Sequence, residues 1–402
     1  MNNNYNFYNA DLKIEVENQF LYSAVTVNYK CNLSSTKVLN FYIYKDIQIE
    51  NVTCDKKMRY EVGSEKIQWS PFVLESKLIK LLFDEPIYEN EIININFKYK
   101  GHINLVTQYG INRLTKDWIE LGIYTPWFPL SKKLEQALFN VKVQISDGYR
   151  IINSKDIGEY SIINQLIPNS DCPIIASKEF KCVKCNIENI DVNVYFIDNK
   201  YNDLAQKISD YSIIILNYYK RFGPIDSQEI SIVIAPRKDG GGYCSPGLIV
   251  ITPDYNNKDE VGYFKFIAHE LAHLWWCKVK NPDTWEDWLN ESFAEFSALL
   301  ALRDAFGVEE FNNRINTYSQ EAKKLPPIRD IDRKNDKAHQ VLYKKGPLIL
   351  NELKKNIGEL KFEKLLNIVH TSNTDTTEKF LDKLIEITNQ EKGDYFINLL
   401  IQ

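Results

Sequence analysis

The stretch His269-Glu270-Leu271-Ala272-His273 constrains this 402-residue chain more than any other. On a helix, positions i and i+4 lie on one face, with Cβ atoms about 5–6 Å apart. Two imidazoles at this spacing can both reach one zinc ion, at about 2.0–2.1 Å each. Glu270 then lies beside the pair, where its carboxylate can take a proton from an attacking water. The motif therefore predicts a helix that carries two zinc ligands and a general base.

The following residues supply an acidic third ligand on a second helix. Residues 281–283 read Asn-Pro-Asp, which is a turn signal. Asp283, with Glu286 three residues later, predicts a capping box that opens the next helix, and Glu291 follows within that helix. Two histidines and one carboxylate leave the fourth zinc position to water, which is typical of catalytic sites. We therefore predict one zinc ion (Zn2+) per chain, with the ligands His269, His273 and Glu291.

Glu295 lies one turn beyond Glu291 on the same predicted helix face. Its carboxylate can accept the second ring N–H of a ligand histidine and thereby fix the tautomer of that histidine. It can equally be a solvated helix carboxylate. The sequence leaves both interpretations open.

Hydrophobic periodicity divides the chain into a β-rich first part and a mainly helical second part. Apolar residues alternate with polar ones in residues 12–16 and 93–99, and convincing helical periodicity begins only near residue 200. We predict an α+β multidomain fold, with a mainly antiparallel β domain over residues 1–185 and an α/β domain with a helical C-terminal half over residues 186–402. Strands are predicted at 191–196, 229–235 and 248–252, and helices at 201–222, 259–279, 284–306, 308–322, 343–356, 359–370 and 376–388.

Three further stretches accompany the two-histidine motif and the Trp-Leu-Asn-Glu of residues 288–291. They are Tyr-Thr-Pro-Trp-Phe-Pro at 124–129, the glycine-rich turn and strand at 240–251, and Tyr-Lys-Lys-Gly at 343–346. Together they make the chain resemble the membrane alanyl aminopeptidase family of gluzincin zinc peptidases, over about residues 10 to 400. The resemblance implies a β saddle, a thermolysin-like catalytic domain and zinc-dependent cleavage of peptides from the amino end. It also implies a short member without the large C-terminal helical domain.

The same resemblance implies roles for further residues. Tyr343 matches the catalytic tyrosine of the family, whose phenol can stabilise the oxyanion. In that family the position of Cys244 is a glutamate that holds the free α-amine of the substrate, and a neutral thiol is a poor partner for an ammonium group. The predicted substrate-binding residues are Gly241, Gly242, Tyr243 and Cys244.

These observations favour a zinc metallopeptidase, and most simply an aminopeptidase that acts near peptide N-termini. Cys244 favours an alternative, which is an endopeptidase or a peptidase for modified or blocked N-termini. A third hypothesis, of another class, is a non-catalytic peptide-binding protein on the same fold. The intact set of ligands, base and tyrosine argues for the enzyme.

Composition limits the classes of partner that the chain is expected to bind and favours one cellular compartment. With 49 basic and 54 acidic residues, the net charge of −5 gives no general attraction to nucleic acid or to an anionic membrane. No apolar run approaches the roughly 18–20 residues of a membrane span, and the first residues lack the pattern of a secretory signal. Seven cysteines, an odd number, favour a reducing cytoplasm. We expect a peptide substrate and no nucleic-acid or membrane partner, while the oligomeric state stays open.

Several other reactive side chains belong to no complete motif. Cys182 and Cys185 have half of a zinc-ribbon spacing, and we predict reduced cysteines in a turn. His339, just before the family's tyrosine, is predicted as a surface or capping histidine, with a place in the cleft as the alternative. Arg237 and Asp239 flank the glycine-rich turn, where they either contact substrate or belong to a solvated loop.

Overall fold

The structure, a computed structural model, describes most of the chain in two compact units. The first unit comprises Met1–Lys181 and Pro236–Gly240, and the second comprises Cys182–Ala235 and Gly241–Gln402. The predicted domain boundary after residue 185 stays a prediction. The described residues are 5–63, 75–103, 111, 113–131, 134–146, 148–225, 227–238, 241–253, 259–279, 282–372 and 374–402.

The first unit consists of strands, as its alternating sequence predicts. In β1 (Asn6–Glu15), the buried residues Tyr8, Ala10, Leu12 and Ile14 alternate with more exposed ones, which is the period of a half-buried strand. The other strands are β2 (Phe20–Lys30), β3 (Ser35–Tyr44), β4 (Ile47–Cys54), β5 (Met58–Val62), β6 (Ser76–Tyr88), β7 (Ile92–His102), β8 (Ile119–Leu121), β9 (Leu130–Ser131), β10 (Ala137–Ile145), β11 (Arg150–Ile151), β12 (Lys155–Ile157), β13 (Tyr160–Asn169) and β14 (Ile174–Ser177).

These strands form three sheets. The largest has seven strands in the order β12-β13-β10-β1-β2-β7-β4, and the others have the orders β5-β6-β3-β9 and β11-β14-β8. Pairing within them is antiparallel, as predicted, except that β1 and β10 run parallel. No helix in the described part of the chain combines the length and apolarity that a membrane crossing requires.

The second unit is built on a five-stranded sheet in the order β15-β16-β17-β19-β18. The strands β16, β17 and β19 run parallel, and their nearly continuous apolar sequences are buried on both faces. The last strand, β18, pairs antiparallel with β19 and forms the edge of the sheet. The bounds are β15 (Lys181–Ile187), β16 (Ile190–Phe196), β17 (Glu229–Ile234), β18 (Gly242–Ser245) and β19 (Leu248–Ile251).

The remainder of the second unit is helical, and its long helices follow the predicted ones within a few residues, apart from α2, which ends seven residues early. Two helices, the short α5 and α9, were not predicted, and α9 contains Gly393, a residue of low helical propensity. A Cβ on Gly393 would lie 2.7 Å from Ile385, so the same glycine allows α9 to pack closely on α8. The helices are α1 (Asn202–Tyr219), α2 (Glu260–Ala272), α3 (Trp288–Phe306), α4 (Val308–Ala322), α5 (Ala338–Gln340), α6 (Gly346–Ile357), α7 (Glu359–Thr371), α8 (Thr377–Ile387) and α9 (Gln390–Ile401).

The start of the helix after the turn differs from the prediction. Thr284, and not Asp283, caps the 3-10 turn that leads into α3, by accepting a hydrogen bond from the backbone of Glu286. The predicted capping box is therefore wrong. Glu286, the acidic residue of the predicted box, instead interacts with α8. Its carboxylate accepts hydrogen bonds from the backbone N–H and the hydroxyl of Thr377, at the start of that helix.

The segment between α5 and α6 is a π-helix, Val341–Lys345, where the sequence predicts the first turn of an ordinary helix. The Gly346 N–H donates to the Val341 carbonyl, five residues earlier. This segment is fixed to α3, because the Ser292 hydroxyl donates to the Leu342 carbonyl at 2.7 Å. A Cβ on Gly346 would lie only 1.9 Å from the Ser292 oxygen, so only glycine permits this approach.

We predict that Gly346→Ala destabilises the second unit by about 1–3 kcal/mol, since the added methyl overpacks the contact with α3. Gly63→Ala is the control, because a Cβ there meets nothing within 4 Å. Urea denaturation of both variants checks the effect, and Ser292→Gly in the Gly346→Ala chain should recover part of the loss. An unchanged midpoint for Gly346→Ala would contradict the contact.

Candidate metal and active site

Three predicted ligands converge on one point of the second unit. His269 lies on α2, His273 immediately follows α2, and Glu291 lies in the first turn of α3. The two Nε2 atoms are 3.2 Å apart, and the Glu291 Oε2 atom lies 3.4 and 3.6 Å from them. Ligands that share a tetrahedral zinc at about 2.0–2.1 Å stand about 3.3 Å from one another. The three atoms are therefore spaced as ligands of a single ion would be.

Hydrogen bonds orient both imidazoles toward this point. The Nδ1 atom of His269 lies 2.9 Å from a Glu295 carboxylate oxygen, and that of His273 lies 3.1 Å from the Trp276 carbonyl. Because both partners are acceptors, each Nδ1 donates, and each Nε2 faces the shared point. Among the described residues, the buried Oε2 atom of Glu291 has no hydrogen-bond partner. Two imidazole nitrogens and one unpaired carboxylate oxygen fit the donor set of a catalytic zinc.

The charges around this point favour a cation. Burial by itself would raise the pKa of Glu291, but the neighbouring His273 and His269 hold it below its usual range. Burial opposes protonation of His269, yet the adjacent carboxylates of Glu291 and Glu295 raise its pKa to about 10, whereas burial lowers the pKa of His273. A metal ion must therefore displace a proton from His269, so metal affinity should rise with pH up to about 10.

Glu295 is part of a buried network behind the ligands. It is 3 % exposed, so the alternative of a solvated carboxylate is wrong. One of its oxygens accepts hydrogen bonds from Lys265 and from the Tyr318 hydroxyl, and these two groups lie 3.0 Å from each other. Burial would raise the pKa of Glu295, but Lys265 and His269 hold it well below its usual range. An ionised carboxylate thus faces the ring N–H of His269.

The sequence prediction missed Lys265 and Tyr318. Lys265 precedes His269 by four residues and therefore lies on the same face of α2, which is a signal that the sequence does contain. Tyr318 belongs to α4, and no local pattern connects that helix with the metal ligands.

The predicted base, Glu270, lies against the edge strand of the sheet. It is 6 % exposed, and a Cβ built on Gly242 would lie 2.5 Å from its carboxyl carbon. The backbone of β18 therefore passes directly over the carboxylate, which only glycine allows. The preceding Gly241 has φ +60°, a left-handed conformation that favours glycine.

The other two predicted substrate-binding residues continue along β18. Cys244 is two residues beyond Gly242 and therefore projects to the same face of the strand, while Tyr243 projects to the opposite face. Burial raises the pKa of the Cys244 thiol well above its usual value, and Cys277 and Glu270 add to the shift. The side chain at the position of the family's glutamate is thus uncharged at neutral pH.

Tyr343 stands beside the ligands with its phenol protonated. Its ring stacks on the His269 imidazole, with centroids 5.2 Å apart and planes 22° from parallel. Burial raises the pKa of Tyr343 well above its ordinary value, and the nearby Glu291 carboxylate raises it further. The hydroxyl is therefore protonated at neutral pH and can donate a hydrogen bond. His339 stacks on the same ring, which supports its predicted alternative, a place in the cleft.

The remaining candidates lie elsewhere. Arg237 is 6 % exposed and pairs with Glu120 inside the first unit, so it is not part of a solvated loop. Asp239 lies outside the described residues. Cys182 and Cys185 occupy the strand β15 and not a turn, and both are free thiols.

Comparisons with known proteins agree with this geometry. Residues 243–398 match the Peptidase family M1 domain. Endoplasmic reticulum aminopeptidase 2 of Bos taurus is 26% identical over 208 residues, which are 45% of this chain and 21% of that protein. Probable aminopeptidase 1 of Sulfurisphaera tokodaii is 25% identical over 362 residues, 79% of this chain and 43% of the relative. The chain thus spans less than half the length of these curated relatives.

Solved structures share the fold. The M1 zinc metallopeptidase from Deinococcus radiodurans aligns with a TM-score of 0.74 at 13% identity. The alignment covers 99% of this chain and 94% of the chain of that protein. A two-domain M1 zinc metallopeptidase bound to L-arginine aligns equally well at 14% identity, over 99% of this chain and 94% of its own. These likenesses confirm the predicted fold class, a β domain followed by a unit with a helical C-terminal half.

We predict that Glu295→Ala weakens zinc binding about 10- to 100-fold, because His269 loses the acceptor that orients its ring. Asp304→Ala, an exposed carboxylate on the same helix, is the control and should bind zinc as the wild type does. Competition with a chromogenic chelator measures both affinities. Equal affinities for the two variants would rule out the orienting role.

Proposed function

We propose, since the chain belongs to peptidase family M1, that it is a zinc-dependent aminopeptidase that hydrolyses peptide bonds near peptide N-termini. The observation that carries the proposal is the convergence of His269, His273 and Glu291 on one point, with Glu270 and Tyr343 beside it. In this proposal each chain holds one zinc ion, and the substrate is a peptide.

Each side chain of the site then has a distinct task. Zinc, when bound, is a Lewis acid that polarises the scissile carbonyl and lowers the pKa of water. Glu270 accepts a proton from the attacking water and delivers it to the leaving amine. The Tyr343 hydroxyl donates a hydrogen bond to the carbonyl oxygen as negative charge develops on that oxygen. The main chain of the peptide pairs with the backbone of the edge strand β18, as an additional strand of the sheet would.

A non-catalytic peptide-binding protein would also use the edge strand. It would need neither a carboxylate under that strand nor a protonated phenol next to the ligands. The close approach of Gly242 to Glu270 therefore favours the enzyme, because it brings the bound main chain to the base.

We predict that Glu270→Gln retains one zinc ion per chain but loses nearly all turnover, because an amide cannot accept the proton of water. His273→Ala is the contrasting variant, and it should bind zinc at least about 10-fold more weakly. Metal analysis after desalting and mass spectrometry of a digested peptide library measure the two properties. Turnover by Glu270→Gln near the wild-type rate, or full metal content in His273→Ala, would contradict the assigned roles.

A second candidate is a peptidase that accepts blocked N-termini or cleaves interior bonds. The neutral thiol of Cys244 favours it, because an ammonium group moved from water to this strand needs an acidic partner. The two candidates share the zinc chemistry and differ only in how the amino end of the substrate is held.

We predict that the wild type discriminates weakly between a peptide and its acetylated form, and that Cys244→Glu prefers the free amine. A charge-assisted hydrogen bond of about 1.5–3 kcal/mol corresponds to a gain of roughly 10- to 150-fold in selectivity. Cys244→Gln, of the same size without the charge, is the matched control. The ratio of kcat/KM for the two peptides measures the effect. A wild type that already prefers the free amine more than about 100-fold would show that another residue holds it.

We also propose that the protein acts in a reducing compartment such as the cytoplasm. All seven cysteines are free thiols, and two of them, Cys244 and Cys277, lie at the candidate active site. Detection of the native protein in fractionated cells tests this location.

A further inference from the structure

The phenol of Tyr343 lies between two imidazoles. On one face is His269, and on the other is His339, whose ring centroid is 4.1 Å from that of Tyr343 with the planes only 10° from parallel. We infer that His339 is a positioning residue, which fixes the orientation of the Tyr343 phenol by stacking on it. The inference rests on the proposed function, in which that phenol stabilises the oxyanion.

The backbone around Tyr343 does not fix the ring by itself. The π-helical segment is anchored on either side of it, by the bond from Ser292 to Leu342 and by the close contact of Gly346. These contacts locate the Cα atom, while rotation about the side-chain torsions is limited by what touches the ring and by the interaction of the hydroxyl with the Glu291 carboxylate. A hydroxyl that must point at one oxygen needs its torsions fixed before the charge develops, since misplacement by about 1 Å is costly.

The two neighbouring rings are held in different ways. His269 is immobilised by Glu295 and belongs to the ligand set, so one face of the phenol rests on a fixed surface. His339 lies on the short helix α5, four residues before Tyr343, and the i, i+4 spacing places one side chain over the other. The stack therefore closes the open face of the phenol.

His339 has few other contacts that could account for its place. Its side chain is exposed, and within the described residues neither ring nitrogen makes a hydrogen bond. Burial of the stacked face lowers its pKa, so the ring is neutral at neutral pH and adds no positive charge beside the ligands. The stack on Tyr343 is thus its main interaction, and a core-packing or capping role does not explain it.

Kinetics of peptide cleavage provide the first test. His339→Ala should lower kcat about 2- to 12-fold, the range that an aromatic pairing energy allows, with little change in KM. His339→Phe, which keeps a flat ring, should restore kcat. In a Tyr343→Phe chain, which lacks the hydroxyl, His339→Ala should have no further effect on kcat. Failure of phenylalanine to rescue would assign hydrogen bonding to the imidazole and overturn the stacking role.

Fluorine NMR supplies a readout that does not depend on activity. With fluorotyrosine incorporated, the Tyr343 resonance is identified by its loss in Tyr343→Phe, in protein with and without zinc. His339→Ala should shift and broaden this resonance, because a ring current and a steric limit on rotation are both removed. His339→Phe should retain a comparably sharp signal, and Gln340→Ala, an exposed neighbour on α5, should leave the resonance unchanged.

These outcomes separate the inference from the proposed function. A wild type without peptidase activity would overturn the proposed function, while the NMR result would still decide whether His339 holds the ring. An active wild type whose kcat and Tyr343 resonance are both insensitive to His339→Ala would overturn the inference alone.

Discussion

The ionised carboxylate of Glu291, set in the protein interior, is the feature on which the site depends. A buried charge without a partner costs several kcal/mol, so native structures pair it or give it a metal. Asp287 and Glu295 nearby each have such a partner, in Arg333 at 3.0 Å and in Lys265. The inner oxygen of Glu291 faces two imidazole nitrogens and accepts no hydrogen bond from the described residues. A proton on His269 supplies the compensating charge when no ion is bound, and a bound cation can take the place of that proton.

Close backbone approaches bring the rest of the chemistry to this point. Glycine at position 242 lets the edge strand pass over Glu270, and glycine at position 346 lets the π-helical segment approach α3 next to Glu291. A side chain at position 242 would collide with Glu270, and one at position 346 would collide with Ser292, so these neighbours would have to shift. Since catalysis needs tighter placement than folding does, these glycines are better explained by the site than by the fold.

The sequence was most informative where the chemistry depends on local spacing. The two histidines, Glu270 and Glu291 lie on or next to helices whose periodicity defines which side chains share a face, and the three predicted ligands converge in the structure. Alternating apolar residues likewise predict the β-rich unit, and short apolar runs predict three strands of the second unit. These inferences require only the period of a helix or a strand.

What the sequence did not reveal depends on contacts between distant elements. Tyr318 reaches Glu295, behind the predicted metal ligands, from another helix, and Thr377 binds Glu286 in place of the predicted capping box. The π-helix forms because α3 holds its backbone through Ser292, and no residue within Val341–Lys345 encodes that. Lys265 is the exception, because its i, i+4 relation to His269 was readable from the sequence.

Because Cys244 is a neutral thiol, it does not account for how a peptide is aligned in the site. Main-chain pairing with β18 repeats along the strand. It can therefore hold a peptide without fixing which peptide bond faces the predicted zinc ligands. A charged side chain that binds the amino end would determine which bond faces the ligands. A neutral thiol cannot do so, because it does not offset the desolvation of an ammonium group. Glu270 lies near the same face of the strand, but a carboxylate that holds an ammonium is a weaker base toward water. Selection of the scissile bond must therefore come from side-chain pockets along the strand or from a carboxylate other than the base.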